Sequence, residues 1–137
     1  MRRAAKGSAS YYKRKLDAEI GALVRSRGAC ERCGKTDTLQ CAHIVPRTNH
    51  TLRYDPINLL CLCYKCHIHF AHKDPIAFQA WLADKLPDVL DYVQKNRHLT
   101  IHRKAGDYKE LLETVRAIQG GDKEKINLLL VGEAHQS

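Results

Sequence analysis

The chain has 137 residues, six Cys and eight His, and it carries a net charge of +8 with a pI near 9.3. This length predicts about one domain with a modest core, in a size range where a metal or disulfide staple adds needed stability. No apolar run reaches the roughly 18 residues of a membrane span, and the basic N-terminus lacks the apolar stretch of a signal peptide. The composition therefore predicts a cytoplasmic protein with reduced thiols and, in view of its charge, a polyanionic partner.

The first 27 residues hold most of the positive charge, with eight basic side chains against two acidic ones and a net charge of +6. Residues 1–10 are predicted to be flexible. Residues 11–27 are predicted to be helical, with an apolar face that repeats at helical spacing and Gly28 at the end. Two interpretations of this segment stay open: a solvated arm with a charged helix face, or an arm that tracks phosphates on nucleic acid. The second assigns DNA binding to Arg2, Arg3, Lys13, Arg14 and Lys15.

The middle of the chain predicts a β-hairpin followed by a helix. Cys30 and Cys33 form a tight knuckle, and residues 38–45 are apolar and β-branched enough for a strand that Pro46 ends. A polar loop follows. Residues 57–62 suit the antiparallel partner strand, and residues 64–71 are compatible with a helix.

Helix signals dominate the rest of the sequence. Asp74 and Pro75 are typical of a helix start, and Ile76, Ala80, Trp81 and Leu86 are predicted to face inward. Pro87 separates a second short helix. A third helix begins near Gly106, with Asp107 and Glu110 as a capping box and a core face formed by Leu111, Leu112, Val115 and Ile118. After Gly120 and Gly121, residues 122–131 are either a helix or a tail. The predicted class is α+β, mostly helical.

Two Cys-x-x-Cys pairs predict a zinc site. Cys30 and Cys33 form one pair and Cys63 and Cys66 the other. Each two-residue gap lets both thiolates converge on one ion at about 2.3 Å, and two pairs complete a closed tetrahedron, so the zinc is expected to be structural.

Two further cysteines leave alternatives at this hairpin. Cys41 and Cys61 are expected to be neighbours across it, where a disulfide is conceivable but two buried thiols are favoured in a reducing compartment. Cys61 could replace Cys63 as a ligand, although the gap of four residues makes Cys63 the preferred candidate.

His43, Asn58 and His67 remain once zinc is assigned, and with the cysteines they form an ordered motif. The order is Cys30-x2-Cys33, Ala-His43-Ile-Val-Pro, Asn58, then Cys63-x2-Cys66-His67. Over about residues 28–72 this pattern resembles the HNH, or ββα-metal, endonucleases, and in particular their small phage-type members with a four-Cys zinc site. The resemblance implies one HNH domain over residues 1–137. It has a basic arm and helix (1–28), a zinc-stapled ββα core (29–73) and C-terminal helices (74–137).

The resemblance also implies an activity, which is metal-dependent hydrolysis of DNA phosphodiester bonds with low sequence specificity. His43 would be the general base, and Asn58 would hold the loop and orient His43 or the metal. His67 would bind a catalytic Mg²⁺, Mn²⁺ or other divalent ion, in addition to the structural Zn²⁺. The implied products carry 5′-phosphate and 3′-hydroxyl ends. The implied setting is phage DNA processing in the host cytoplasm, with duplex DNA and packaging or recombination proteins as partners.

One position departs from the family pattern. Many members carry Asp or His directly before the base, as a metal ligand, and here that residue is Ala42. A second ligand one helical turn after His67 would fall on Ala71, so His72 is the nearest substitute. Further candidates are Asp55, His50 and His69.

Two arginines of the loop, Arg47 and Arg53, are predicted to clamp phosphate. The alternative function is a zinc-stapled DNA-binding module or accessory subunit that does not cleave.

Overall fold

The computed structural model describes residues 4–117, which form an α+β fold dominated by helices. The two strands are β1 (Leu39–His43) and β2 (Leu59–Cys63), joined through a 3₁₀ turn at Pro56–Asn58 and followed by a π-helix at Lys65–His72. The α-helices are α1 (Ala9–Arg25), α2 (Pro75–Lys85), α3 (Pro87–Asn96) and α4 (Ala105–Ala117).

The two strands form an antiparallel hairpin that divides the core. The register runs from Leu39 opposite Cys63 to His43 opposite Leu59. One side of the hairpin, with Leu59 and Cys61, packs with α1 and α4. The other side, with Leu60 and Leu62, packs with the π-helix and α2. The predicted hairpin and the helix that follows it are therefore confirmed. Because helices pack on both sides of the hairpin, each of these two helical layers has a fixed position relative to β1.

Helix α1 begins at Ala9, earlier than predicted. Ser8 caps it by accepting the Tyr11 N–H at 3.2 Å. The prediction that residues 9 and 10 are flexible is therefore wrong. The Ser8 side chain satisfies an otherwise unpaired N–H at the helix start, which lets the helix begin two residues earlier. Leu16, Ile20 and Val24 are buried, as the helical spacing predicts.

The inward face of α2 differs from the prediction. Asp74 caps this helix through the Ala77 N–H and Pro75 occupies its first turn, both as predicted. Ile76 is 84% exposed and Ala80 is also exposed, and Phe78 and Leu82 are buried instead. The predicted residues Trp81 and Leu86 do pack against the core and are partly buried. The apolar residues of α2 are spread around all sides of the helix, so the sequence pattern does not favour one buried face. Packing against the π-helix decides which residues are buried.

Helix α4 packs against α1 through the predicted residues Leu111, Leu112 and Val115. Ile118, the segment 122–131, Arg2 and Arg3 lie outside the described residues. None of the helices within residues 4–117 is both long and apolar enough to cross a membrane.

Candidate metal centre and adjoining groove

The segment from Cys30 to Lys35 folds back on itself and presents its two thiols to one side. The Cys30 N–H donates to the Lys35 carbonyl at 2.7 Å, and the Gly34 N–H donates to the Cys30 carbonyl at 2.9 Å. Gly34 has a φ of 80°, a left-handed conformation that glycine adopts without steric cost. The second pair of thiols lies where β2 passes into the π-helix, at Cys63 and Cys66.

The four thiols converge as the spacing predicts. The sulfur atoms of Cys30, Cys33, Cys63 and Cys66 all lie within 4.8 Å of one another, and the Cys33 and Cys63 sulfurs are 3.6 Å apart. A tetrahedral ion with bonds of about 2.3 Å needs sulfurs about 3.8 Å apart, so the cluster fits zinc with little adjustment. Three of the four cysteines are buried and Cys33 is exposed. The four cysteines are thus placed to bind a structural metal ion such as zinc.

The acidity of the thiols in this cluster is uneven. Burial raises the pKa of Cys30, but hydrogen bonds from the backbone of Cys63, Cys33 and Arg32 outweigh burial and bring this pKa below its usual 9.0. Burial raises the pKa of Cys66, which the Arg32 guanidinium lowers only in part. Cys30 therefore ionises more readily than Cys66, from which a metal must displace the proton.

Arg32 is the cation next to the cluster. Its Nη1 donates to the Cys66 sulfur at 3.4 Å, and its guanidinium lies 3.5 Å from the centroid of the Phe70 ring. Four thiolates around a divalent ion carry a net charge of −2, so a guanidinium held on an aromatic ring at this point reduces excess negative charge.

Cys41 and Cys61 are partners across the hairpin, as predicted, and they are not disulfide-bonded. Neither belongs to the cluster, so Cys63 rather than Cys61 is the ligand candidate. Burial raises the pKa of Cys41 to about 11, so this thiol stays protonated at neutral pH.

A groove of about 940 Å³ runs along the strand edge of β1 that does not face β2. We call it the β1 groove. Helix α1 forms one wall through Asp17, Gly21 and Arg25, and the π-helix forms the other through His67, Ala71 and His72. His43 and Arg47 lie between these walls. Three imidazoles thus share one groove.

His43 has one defined hydrogen bond, from ring Nε2 to the Arg53 carbonyl at 3.0 Å. A carbonyl only accepts, so Nε2 carries the proton and Nδ1 keeps its lone pair. Burial lowers the pKa of His43 below its usual 6.5, and the Arg53 carbonyl opposes this shift. At neutral pH the ring is therefore an uncharged base with Nδ1 free to take a proton.

Asn58 is fully buried and pins the loop that follows β1. Its Oδ1 accepts the Val45 N–H at 2.8 Å, and its Nδ2 donates to the carbonyls of Val45 and Leu52 at 3.0 and 3.1 Å. The Asn58 carbonyl also accepts the Ile44 N–H at 2.9 Å. These bonds fix the chain on both sides of the loop and so fix the end of β1, where His43 lies.

The π-helix brings His67 and His72 together. Their ring centroids are 4.5 Å apart, and the Nδ1 atom of His67 is 2.7 Å from the Gln40 amide oxygen. A π-helix places residues i and i+5 on adjacent turns, whereas an α-helix pairs i with i+4. Burial lowers the pKa of His67, and the nearby His72 and His43 lower it further. The His67 ring is thus available as a neutral nitrogen donor near neutral pH, with the His72 ring beside it.

The other ligand candidates lie elsewhere. Asp55 is 3% exposed, accepts the Ile57 N–H and the Tyr92 hydroxyl, and does not line the β1 groove. His69 packs edge-on against Tyr64, and His50 also lies outside the groove lining. Of these alternatives to a ligand at position 71, only His72 lines the groove next to His67.

Asp17 holds both loop arginines. Its Oδ2 accepts from Nη2 of Arg47 at 2.8 Å and from Nη2 of Arg53 at 2.5 Å, and its Oδ1 accepts Nε of Arg53 at 3.1 Å. The Arg53 side chain is 16% exposed and the Arg47 side chain is 59% exposed. Arg53 is therefore committed to this ion pair, while Arg47 is open to solvent and able to exchange its partner.

The basic residues of α1 lie in different surroundings. The Lys13 ammonium lies over the Tyr108 ring and the Lys15 ammonium over the Tyr11 ring, at 5.2 and 5.1 Å from the centroids. Arg14 is exposed. By the helical periodicity of α1, Arg14 lies on the same helix face as Gly21 and Arg25, so Arg14 extends the groove wall that these residues form.

Sequence reasoning missed Asp17, Arg25, Arg32 and Gln40. Asp17, Gly21 and Arg25 recur at a spacing of four on α1, and this signal marks one helix face. The pairing of Asp17 with residues 30 and 36 positions away has no local signal. Comparison of the chain with protein-family models, curated proteins and solved structures finds no match.

Proposed function

We propose that this protein is a divalent-metal-dependent endonuclease of the HNH type, which hydrolyses phosphodiester bonds of duplex DNA with low sequence specificity. One observation carries the proposal: a neutral base, His43, shares a groove with two adjacent imidazoles, His67 and His72, on a hairpin and helix joined by four cysteines. The resemblance of the ordered motif to HNH endonucleases and the net charge of +8 add support.

His43 is the general base of the proposed reaction. Nδ1 takes a proton from the attacking water, while the Arg53 carbonyl holds the Nε2–H and stabilises the positive charge that the ring gains. Asn58 acts through the loop, since its hydrogen bonds fix the end of β1, and it is a positioning residue. Arg47, released from Asp17, is free to contact a phosphate.

His67 and His72 are the residues that would hold the divalent ion. When bound, this ion supplies positive charge that stabilises the phosphate and the leaving 3′ oxygen. Two imidazole donors suit Ni²⁺ or Zn²⁺ better than Mg²⁺ or Mn²⁺, which prefer oxygen ligands. The donor set therefore predicts stronger support of cleavage by Ni²⁺ than by Mg²⁺ or Mn²⁺.

A nicking assay on supercoiled plasmid tests the proposal. Wild type, His43→Ala and His69→Ala are freed of loosely bound metal, checked for retained zinc and assayed with added Mn²⁺, Ni²⁺ or Mg²⁺. His43→Ala should lose about a hundredfold or more in rate, the usual contribution of a general base. The control His69→Ala removes an imidazole from the same helix outside the groove and should cleave like wild type. Equal rates for wild type and His43→Ala would refute the role of His43.

A second pair of variants tests the spacing of the two imidazoles. His72→Ala should abolish metal-dependent cleavage. The double change Ala71→His with His72→Ala should not restore it, because Ala71 is 8% exposed and packs into the core. Restoration by the double change would mean that the i+4 arrangement of a regular helix operates instead.

DNA binding without cleavage is a second candidate function, and Ala42 favours it. This residue lacks a metal-binding side chain at the position where the related endonucleases often carry one. In that case wild-type protein binds plasmid and leaves it supercoiled with every metal tested.

A further inference from the structure

Arg25 is the one groove-lining arginine without a carboxylate partner in the described structure. Arg47 has Asp17 as a partner, which it shares with Arg53. Among the carboxylates of residues 4–117, none lies within 4.0 Å of the Arg25 guanidinium. The side chain is exposed on the wall that α1 contributes, facing the groove that His43 and His67 also line.

Gly21 leaves open the space in which this guanidinium lies. A Cβ atom at Gly21 would be 3.0 Å from Nη1 of Arg25 and 4.0 Å from Cβ of Cys41. The arginine therefore folds back along α1 over the missing side chain, at the point where the helix approaches the middle of β1. Glycine inside a helix lowers the free energy of unfolding by about 0.5–1 kcal/mol relative to alanine, so the protein loses stability by keeping this space open.

The position of the Arg25 guanidinium relative to His43 suits contact with the backbone of a DNA strand. Cys41 precedes His43 by two strand residues, which is about 7 Å along β1. The ~3.4 Å per base of a DNA strand is only the rise along the helix axis. Because the backbone also winds around that axis, successive phosphates are farther apart than this rise, so 7 Å is on the order of one phosphate step. A guanidinium there reaches a phosphate near the one that His43 faces.

We infer that Arg25 is a phosphate-binding residue of the β1 groove, which holds the DNA backbone at a phosphate next to the site of hydrolysis, and that Gly21 leaves the space in which its guanidinium lies. This inference rests on the proposed function and adds a positioning residue that the ordered motif does not contain. The fork of donors on a guanidinium binds phosphate oxygens in pairs, which an ammonium cannot match.

Salt-dependent binding to a short DNA duplex tests the inference without requiring cleavage. Wild type, Arg25→Ala, Arg25→Lys and Lys109→Ala are compared by fluorescence anisotropy, without divalent ions, from 50 to 200 mM salt. Removing one phosphate contact should reduce the slope of log K against log salt by about 0.9 and weaken binding about tenfold at the lowest salt. Lys109→Ala removes one exposed positive charge outside the groove and should leave the slope unchanged.

Two further variants separate charge from geometry. Arg25→Lys should keep the slope and bind more weakly than wild type, because it keeps the charge and loses the fork. Gly21→Ala keeps every charge and improves helix propensity, and its Cβ requires the guanidinium to shift by a few tenths of an ångström, so binding should weaken much less than in Arg25→Ala, in a protein that unfolds at no lower temperature.

The outcomes separate this inference from the proposed function. If wild type cleaves plasmid and Arg25→Ala binds with the wild-type slope, the phosphate role of Arg25 is refuted and the nuclease stands. If wild type binds without cleaving, the slope of Arg25→Ala still decides the phosphate role. If wild type does not bind DNA, both fail.

Discussion

Replacing Asn58 by alanine should destabilise the protein more than any other single change of a neutral polar side chain that we consider. The side chain is 0% exposed and makes three hydrogen bonds, two to Val45 and one to Leu52. Asn58→Ala leaves one N–H and two carbonyls without these partners in the interior. The loop between the strands then loses the contacts that close it.

The size of the effect follows from those three bonds. Each contributes about 1 kcal/mol net, so their loss costs about 3 kcal/mol, and any donor or acceptor that water cannot reach adds to this. A domain of this size unfolds at about 5–15 kcal/mol, so the loss is a large share of the total. Asn96→Ala is the matched control, since Asn96 is also buried but makes one side-chain bond, to the Tyr92 carbonyl at 2.8 Å. It should cost about 1 kcal/mol.

Urea unfolding at saturating zinc, followed by Trp81 fluorescence, measures both variants. Asn58→Asp adds a pH test. It keeps the acceptor for the Val45 N–H but points a carboxylate oxygen at two carbonyls, which raises the folded-state pKa of the new carboxyl. This variant should therefore gain stability relative to wild type as pH falls through that raised pKa toward the unfolded-state value of about 3.9, because protonation restores one donor. A cost for Asn58→Ala no larger than that of Asn96→Ala would refute the reasoning.

Three other predictions concern the metal cluster and the base. Cys66→Ser should lower bound zinc from one ion per chain to none and remove the cooperative thermal transition, as read by metal analysis and calorimetry. Arg32→Ala should stay folded but bind zinc about tenfold more weakly in a chelator competition, since outer-shell partners typically contribute 10–100-fold and Arg32 is exposed. Burial lowers the pKa of His43, so the cleavage rate should fall with a midpoint below the usual pH 6.5 of a histidine, as pH drops through the lower folded-state pKa. A rate that already declines between pH 8 and 7 would argue against His43 as the base.

The metal cluster and the order of elements could be predicted because their signals are local. A Cys-x-x-Cys pair brings its own thiols together, and Asp74 with Pro75 sets a helix start, whatever the rest of the chain does. The face of α2 could not be read in this way. Its apolar residues are spread around the helix, and the exposure of Ile76 is decided by which side meets the π-helix.

Contacts between distant segments were also beyond the sequence. Arg47 and Arg53 were predicted to clamp phosphate because of their loop and charge, but nothing local indicates that both bind Asp17 on α1. That pairing fixes Arg53 in place, whereas the more exposed Arg47 is able to exchange Asp17 for another partner. Arg25, whose sequence signal is its charge and its spacing of four from Gly21 and Asp17, remains as the cation on the groove wall.

The π-helix explains why the second imidazole is one residue later than regular helical spacing predicts. A π-helix is less favourable than an α-helix, so it persists only where both ends are held. Here Cys66 in its first turn belongs to the thiol cluster, and after its last turn the Asp74 N–H donates to the Phe70 carbonyl at 2.8 Å. The extra residue in the turn lets Ala71 pack into the core while His72 meets His67 at the groove. If zinc holds the first end, then its loss should relax this segment, so the structural cluster and the arrangement of the two imidazoles are mechanically coupled.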